Sequence, residues 1–388
     1  MTNTFKKMKI VLNLIIAKPA AAGGFNVAVN FFNQTLEDKG NEWIYFVSND
    51  FDNVIRGRDI GLDEKHYCVF HTQPNLRFYN KDRKIIKHLE SDIKPDVIFS
   101  LLAPSYHMFK TPEVMYHANA WAVVGGVNQY ALNVTSLKLR IVYKTKALLT
   151  RWLMRKTKYF ITQTQIAKEC ILNTVNTTAD NVCVVSNVLP SSYFNISNEK
   201  KQHEGYNMVY ASSPAVHKDY LILPEVASIL VNRFALKDFK IHYTLPDKVK
   251  EYPILVSLIK HYGVERYFIN HGYLKQSDLA EVFKQSDLGL FPSLLETFSG
   301  TLLEYMYFSL PIIASDFDFN REVAGNAAEY FSPHDAEDMA EKIYKVYSDQ
   351  TLRDSILENA KERLKEYSNN TDKYEEIVCF LGEVANKK

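Results

Sequence analysis

The sequence predicts an α/β protein built from two doubly wound parallel sheets, and three observations carry that prediction. Short apolar runs alternate with helical patterns along most of the chain, as in parallel strands covered on both faces. The alternation lapses once, near residue 195, and then restarts. The length of 388 residues exceeds what a single ordinary core occupies.

In the first half, Lys9–Ile16 reads as a continuous buried strand, followed by the loop Ala17–Gly24 and a helix over about 25–39. Trp43–Ser48, Val97–Leu101, Val114–His117, Tyr159–Thr162 and Val182–Val185 read as further strands. The polar run Asn195–Gly205 lacks apolar periodicity and reads as a linker. Beyond it come the strands Met208–Ala211, Phe239–Tyr243, Tyr267–Asn270, Leu288–Phe291 and Ile312–Ala314, with helices after Asp219 and over Ser299–Phe308. A last helix, Asp372–Asn386, is expected to pack at the domain junction. The expected organisation is therefore a first domain over 1–192, a linker over 193–205, a second domain over 206–370 and a terminal helix over 371–388. Two such domains face each other across a cleft, with ligands beyond the carboxyl ends of the strands.

Composition narrows the function. Residues 46% hydrophobic and 13% aromatic support large cores and exclude general disorder. The net charge of +1 conceals an asymmetry: residues 1–192 carry 24 Lys and Arg against 15 Asp and Glu, and the remainder 22 against 30. The halves are expected to meet different partners. Cys68, Cys170, Cys183 and Cys379 form no Cys-x-x-Cys pair, so buried thiols are expected, with no disulfide framework and no zinc site. The apolar run Ile10–Ala17 is too short to span a bilayer and reads as a strand. A cytoplasmic protein is expected.

The chemistry concentrates in Glu296-Thr-Phe-Ser-Gly-Thr-Leu-Leu-Glu304, which follows a strand and a Pro-Ser loop. Small residues at Ser299, Gly300 and Thr301 open the first turn of a helix, where free amides and the helix dipole favour a diphosphate. Glu296 precedes the helix and Glu304 lies one turn inside it. As a bare pair they also fit a helix-start acid and a solvated face residue.

Their context resembles the donor site of family 4 retaining glycosyltransferases, the glycosyl transferases group 1, which adopt the GT-B fold. The resemblance rests on Glu-x7-Glu with Phe298 between, the strand Leu310-Pro-Ile-Ile-Ala314, Asp316, Arg321-Glu322-Val323, Gly325-Asn-Ala-Ala328 and Tyr330-Phe-Ser-Pro333. It implies that the first domain binds the acceptor and the second a nucleotide-diphosphate sugar. Glu296 would hold hydroxyls of the donor sugar and Glu304 the ribose, while backbone groups of Thr297, Phe298, Ser299, Gly300 and Thr301 line sugar and diphosphate. Lys218 matches the Lys of the family's Arg-x4-Lys pair that neutralises the leaving diphosphate, but Ser213 stands where the Arg belongs. His217 or another basic group is a candidate replacement. Gly272, Tyr273 and Leu274 match the turn lining the nucleobase pocket, which leaves uridine and guanosine nucleotides open. Gly23 and Gly24 match the loop approaching diphosphate and acceptor, His117 matches the acceptor-side His, and Asn187 a turn near the domain junction. Glu296, Lys218 and His117 are the catalytic candidates. The nucleotide sugar is a co-substrate, with no cofactor and no metal expected.

From Val114 to Lys168 there is no Asp or Glu, yet there are nine Lys and Arg. Between residues 137 and 160 these alternate with apolar residues, which fits either a core-packing helix with a solvated basic face or contact with an anionic membrane surface. No recognition motif for nucleic acid accompanies the patch. The expected activity is transfer of a sugar to a glycan or lipid-diphosphate acceptor in cell-surface polysaccharide or glycoconjugate synthesis, peripherally on the inner face of the membrane. Two alternatives remain: a GT-B sugar-nucleotide epimerase, and a non-catalytic nucleotide-sugar-binding subunit, which the Ser213 position suggests.

Overall fold

The structure is a computed structural model that describes residues 7–18, 23–55, 62–71, 79–124, 128–189, 193, 195–367 and 370–387. It contains two compact units. The first comprises Met1–Val123, Tyr143–Asn187 and Asn370–Lys388, and the second Val124–Val142 and Val188–Asn369.

The first unit holds strands β1 (Lys9–Leu14), β2 (Glu42–Ser48), β3 (Tyr67–Phe70), β4 (Val97–Leu101), β5 (Glu113–Tyr116), β6 (Tyr159–Thr162) and β7 (Val182–Val184). They form one sheet in the order β3-β2-β1-β4-β5-β6-β7, with every pair parallel. Of these only β3 escaped the sequence reading. It is a four-residue edge strand with three half-buried positions, so it lacks the continuous apolar run that betrays an interior strand. The helices Gly23–Glu37 and Asn370–Asn386 cover one face. Phe25, Ala28, Phe31 and Phe32 of the former and Ile377, Phe380, Leu381 and Val384 of the latter join the same core as Leu12, Tyr45 and Phe99. Tyr374 packs its ring on Phe31 and donates from Oη to Asp38 at 2.9 Å, pinning the last helix to this unit.

The second unit holds β8 (Tyr206–Tyr210), β9 (Phe239–Tyr243), β10 (Phe268–Asn270), β11 (Leu288–Phe291), β12 (Ile312–Ser315) and β13 (Ala328–Phe331). Their order is β10-β9-β8-β11-β12-β13, again all parallel. Tyr193 and residues 195–205 belong to this unit. Tyr193 is fully buried, and the Nζ of Lys200 donates to the Ser286 carbonyl at 2.5 Å.

The cysteine expectation needs correcting. All four are free, but none is fully buried and Cys379 is exposed. The buried stripe of its helix runs through Ile377, Phe380, Leu381 and Val384, and Cys379 falls on the other side.

Candidate active site: the donor loops of the second unit

The order of the second sheet decides where a ligand belongs. The chain winds from β8 outward through β9 and β10, then returns to β11 and winds the other way. The loops leaving β8 and β11 therefore emerge side by side at the carboxyl ends, the topological switch point of such a sheet. Hydrogen bonds lace them together. The Leu294 N–H donates to the His217 carbonyl at 2.8 Å, and Ser315 Oγ, at the end of β12, donates to the Ser293 carbonyl at 2.5 Å. From residues 124–142, the Asn128 side-chain amide donates to the Leu294 carbonyl. Its Oδ1 caps the Gln129–Asn133 helix by accepting from the Ala131 N–H at 3.0 Å.

This lacing brings two of the sequence candidates into contact. Lys218 and Glu296 form a largely buried ion pair, and Ser293 Oγ donates to the same carboxylate oxygen at 2.8 Å. Behind Lys218, Asp219 takes a left-handed backbone conformation (φ 54°) and receives His334 Nδ1 at 2.9 Å. That hydrogen bond raises the His334 pKa above the ordinary imidazole value. Ser213 is exposed and brings no charge to the loop; its carbonyl accepts the Ala215 N–H at 2.8 Å. His217 does not substitute for the absent Arg in the donor-free protein. Burial, reinforced by the Lys218 charge, pushes its pKa down to about 3, so it is neutral at pH 7. Lys218 is the lone Lys or Arg between 211 and 219.

The Gly300–Tyr307 helix begins where the second loop ends. Its N-cap, Ser299, makes no side-chain capping bond, and a Cβ at Gly300 would point into open space, so the first turn offers its amides to a ligand. Thr297 and Ser299 are buried, Thr301 is half-buried, and Phe298 sets its ring edge-on to Tyr367 at 5.7 Å. The helix is seated by Tyr305. Its Oη accepts from the Ala211 N–H at 3.1 Å and lies 3.1 Å from the Val209 carbonyl. Its ring lies against Gly289 of β11, where an added Cβ would sit 2.5 Å from ring carbon. Glu304 lies in this helix and is half-buried. Burial raises its pKa to about 7, opposed by a 2.9 Å hydrogen bond from Tyr193 Oη to Oε1. At the neighbouring turn Gly272 takes φ 65°, and its N–H donates to Asn270 Oδ1 at 2.9 Å. Tyr273 is exposed and Leu274 half-buried.

The remaining candidates belong to the first unit. Gly23 and Gly24 open the Gly23–Glu37 helix rather than preceding it. A Cβ at Gly24 would lie 3.0 Å from Leu102 Cδ2, whereas Gly23 has open space. Residues 19–22 of that loop lie outside the described residues, as do Gly125 and Gly126. His117 is fully buried after β5, and Gln163 donates to its carbonyl at 2.9 Å. Its Nε2 lies 3.1 Å from the Asn119 carbonyl, which requires a proton on Nε2 and leaves Nδ1 a buried acceptor with no hydrogen-bond partner among the described residues. Burial pushes its pKa down to about 4, so the ring is neutral. Asn187 accepts from Tyr116 Oη at 2.5 Å.

Sequence reasoning missed Tyr193, Ser293, Asp219 and Asn128, which act through the candidates rather than in a motif. It also passed over the Asp-x-Asp spacings Asp50-Phe-Asp52 and Asp316-Phe-Asp318. Asp316 is committed to Arg321 through bonds of 2.5 and 2.8 Å, and Asp52 accepts from Tyr67. Among the described residues no group of three or more His, Cys, Asp or Glu is placed to hold a metal ion. A cavity of about 620 Å³ in the first unit is lined by Met8, Asn41, Asp38 and Tyr374, at the amino ends of β1 and β2. It lies away from the strand ends where ligands of this fold bind.

The basic segment resolves into the Leu137–Met154 helix and the start of β6, so the expected amphipathic run ends six residues before Phe160. Among its buried residues are Thr150, Leu153 and Met154. Leu137, Ile141, Leu148 and Trp152 are 72%, 60%, 65% and 56% exposed. At 100° per residue these four fall within an arc of about 60°. No described helix is long and apolar enough to cross a membrane.

Two α/β sheets of seven and six parallel strands define a protein of the GT-B fold class. Residues 199–363 match the family Glycosyl transferases group 1. That match covers most of the second unit and marks the chain as a nucleotide-sugar glycosyltransferase. No curated protein matches the sequence. Among solved structures it is similar to sucrose-phosphate synthase from Thermosynechococcus elongatus, with a TM-score of 0.71 at 14% identity over 98% of this chain and 100% of that one. A glycosyltransferase from Rickettsia africae gives 0.70 at 15% identity, over 99% and 100%. Anabaena HepE, solved in complex with UDP and glucose, gives 0.68 at 14% identity, over 97% and 100%. At these identities the likeness establishes the fold.

Proposed function

We propose that the chain is a retaining glycosyltransferase that passes a sugar from a nucleotide-diphosphate donor to a glycan or lipid-linked acceptor, in the synthesis of a cell-surface polysaccharide or glycoconjugate. The observation that carries this reading is the Lys218–Glu296 pair beside the uncapped Gly300–Tyr307 helix. A buried cation and free amides converge where a diphosphate leaving group would develop charge. Such preorganised groups stabilise a transition state more than a solvated one would. With Ser213 uncharged, Lys218 and the first-turn amides carry the leaving group between them. Glu296, steadied by Ser293, holds hydroxyls of the donor sugar, and Glu304 takes the ribose. Backbone groups of Gly272, Tyr273 and Leu274 border the base.

In the retaining reaction the bond from the anomeric carbon to the diphosphate oxygen breaks as the acceptor oxygen attacks from the same face. The acceptor proton passes to the departing phosphate oxygen. His117, with its Nδ1 lone pair, accepts a hydrogen bond from the 6-hydroxyl of the sugar, and Gly23 and Gly24 give the backbone access to diphosphate and acceptor. The domains are assigned as first proposed: acceptor binding over 1–192 and donor binding over 206–370. HepE is solved with UDP-glucose, which makes that donor the first to try.

The exposed stripe of Leu137, Ile141, Leu148 and Trp152, set among Lys138, Lys144, Arg155 and Lys156, favours contact with an anionic leaflet. That is where a lipid-linked acceptor would reside.

The test is a panel of UDP- and GDP-sugars offered to purified protein, with release of nucleoside diphosphate as the readout. Release from at least one donor, lost in Lys218→Ala and Glu296→Ala, is expected. Neither binding nor release from any donor would sink the reading.

A further inference from the structure

Glu304 differs from the other acids of the donor site in its surroundings. It is half-buried, and Oε1 accepts from Tyr193 Oη at 2.9 Å. Tyr193 is itself fixed. It is fully buried, its ring packs edge-on against Phe308 at 5.6 Å, and its carbonyl accepts from Tyr307 Oη at 3.0 Å. Gln276, at the start of the Gln276–Lys284 helix, also hydrogen-bonds the Tyr193 phenol. Oε2 of Glu304 has no hydrogen-bond partner among the described residues, so one oxygen is held and the other is presented.

Among the described residues no cation compensates this carboxyl. The titratable groups bearing on it are the phenols of Tyr193 and Tyr305. Tyr305 spends its hydroxyl on Ala211 and Val209. The basic groups on the elements packed around are engaged elsewhere: Arg363 with the Val323 and Glu322 carbonyls, Arg321 with Asp316, Lys284 with Glu281. A buried carboxyl with a single neutral donor favours its protonated form.

We propose that Tyr193 is a positioning residue for the ribose carboxylate, and that donor binding is coupled to the loss of a proton from Glu304. The inference rests on the ribose reading of Glu304. A carboxylate accepts both hydroxyls of a ribose, whereas the acid form must spend one oxygen as a donor. Two ribose hydroxyls supply the donors that the empty site lacks, so binding draws out the proton. The sign follows. Glu304, raised to about 7 in the free protein, must ionise for tight binding. Affinity therefore falls as pH drops below 7 and levels off above it. Removing the Tyr193 hydroxyl removes a group that favours the carboxylate, so the fall begins at higher pH.

Isothermal titration with UDP-glucose and with GDP-mannose, at pH 6 and pH 8.5 and in two buffers of different ionisation enthalpy, counts the protons released. Neither donor carries a phosphate that titrates in this range. The wild type should release close to one proton at pH 6 and almost none at pH 8.5. Glu304→Gln should bind more weakly at pH 8.5 and release none at either pH. Tyr193→Phe should bind about fivefold more weakly near pH 7, corresponding to about one pKa unit, and recover most of that loss at pH 9. Tyr193→Phe weakening binding equally at all pH values would mean a merely structural role and overturn the proposal. Weakening by Glu304→Gln with no proton release from the wild type would also overturn it, with the ribose reading intact. Unchanged binding in Glu304→Gln would sink the ribose reading itself, as would binding of neither donor, and the inference with it.

Discussion

The two units repeat one topology but arm it differently. Each sheet has a switch point, between β1 and β4 in the first unit and between β8 and β11 in the second. In the second, the adjoining loops bear an ion pair and lead into an uncapped helix that carries the half-buried Glu304. In the first, the strands bear an internal network instead. Asn13 of β1 donates to Ser100 of β4 at 2.9 Å, and Ser100 Oγ donates to Glu113 of β5 at 2.5 Å. Glu113, like Glu304, is pushed up to about 7 by burial. Its opposing hydrogen bonds come from two serines, Ser100 and Ser105, where Glu304 has one tyrosine. The same direction of shift thus arises in a carboxyl tied into a sheet and in one proposed to meet a ligand. A perturbed glutamate alone does not mark a site; what its second oxygen faces does.

The difference is sharpest at the leaving group. Lys218→Ala should lower kcat/KM for donor turnover by about 100-fold or more, the scale expected for removing one transition-state contact. Steady-state kinetics would read it, and a loss under tenfold would mean that the helix amides suffice. His117→Ala, in the first unit, removes one acceptor and should cost about five- to tenfold, the scale of a single hydrogen bond. An effect of His117→Ala equal to that of Lys218→Ala would erase the asymmetry between the units.

Stability offers a second contrast. Gly289→Ala forces a Cβ into the Tyr305 ring and should cost about 1–3 kcal/mol in urea denaturation. The glutamates differ with pH. Because the folded-state pKa of Glu113 is raised, the fold binds its proton more tightly than the unfolded chain does. That contribution is present at low pH and is lost as pH climbs from about 4.5 to about 7. Glu113→Gln should therefore stabilise the protein at pH 8 by about 1–3 kcal/mol and leave it little changed at pH 4. The smallest effect belongs to the exposed helix. Trp152→Glu should reduce sedimentation with vesicles rich in phosphatidylglycerol, by about threefold to tenfold, without changing donor hydrolysis in solution. Equal sedimentation with phosphatidylcholine vesicles would argue against an anionic leaflet.

Much of this was legible in the residues themselves. Interior parallel strands announce themselves as short, largely apolar runs, and Val97–Leu101 and Leu288–Phe291 appear in the structure with those same bounds. The helix after Glu296 was readable from small residues at its first turn. Tyr193 was not, because a buried tyrosine in a polar stretch carries no periodicity, and its partner lies 111 residues away. Nor was the role of Asn128, which meets Leu294 only through the fold. His217 looked like a spare cation in the sequence, but burial beside Lys218 strips its charge. Sequence shows which groups are present, and packing decides which of them stay charged.

The central claim is that the second unit's switch point delivers a sugar with retention, with Lys218 carrying the leaving group. Proton NMR of UDP-glucose turnover, in the presence of a small alcohol as surrogate acceptor, tests it directly. The account predicts that the first-formed glycoside is the α-anomer and that Lys218→Ala abolishes its formation. A first-formed β-glycoside, or undiminished turnover by Lys218→Ala, would contradict it.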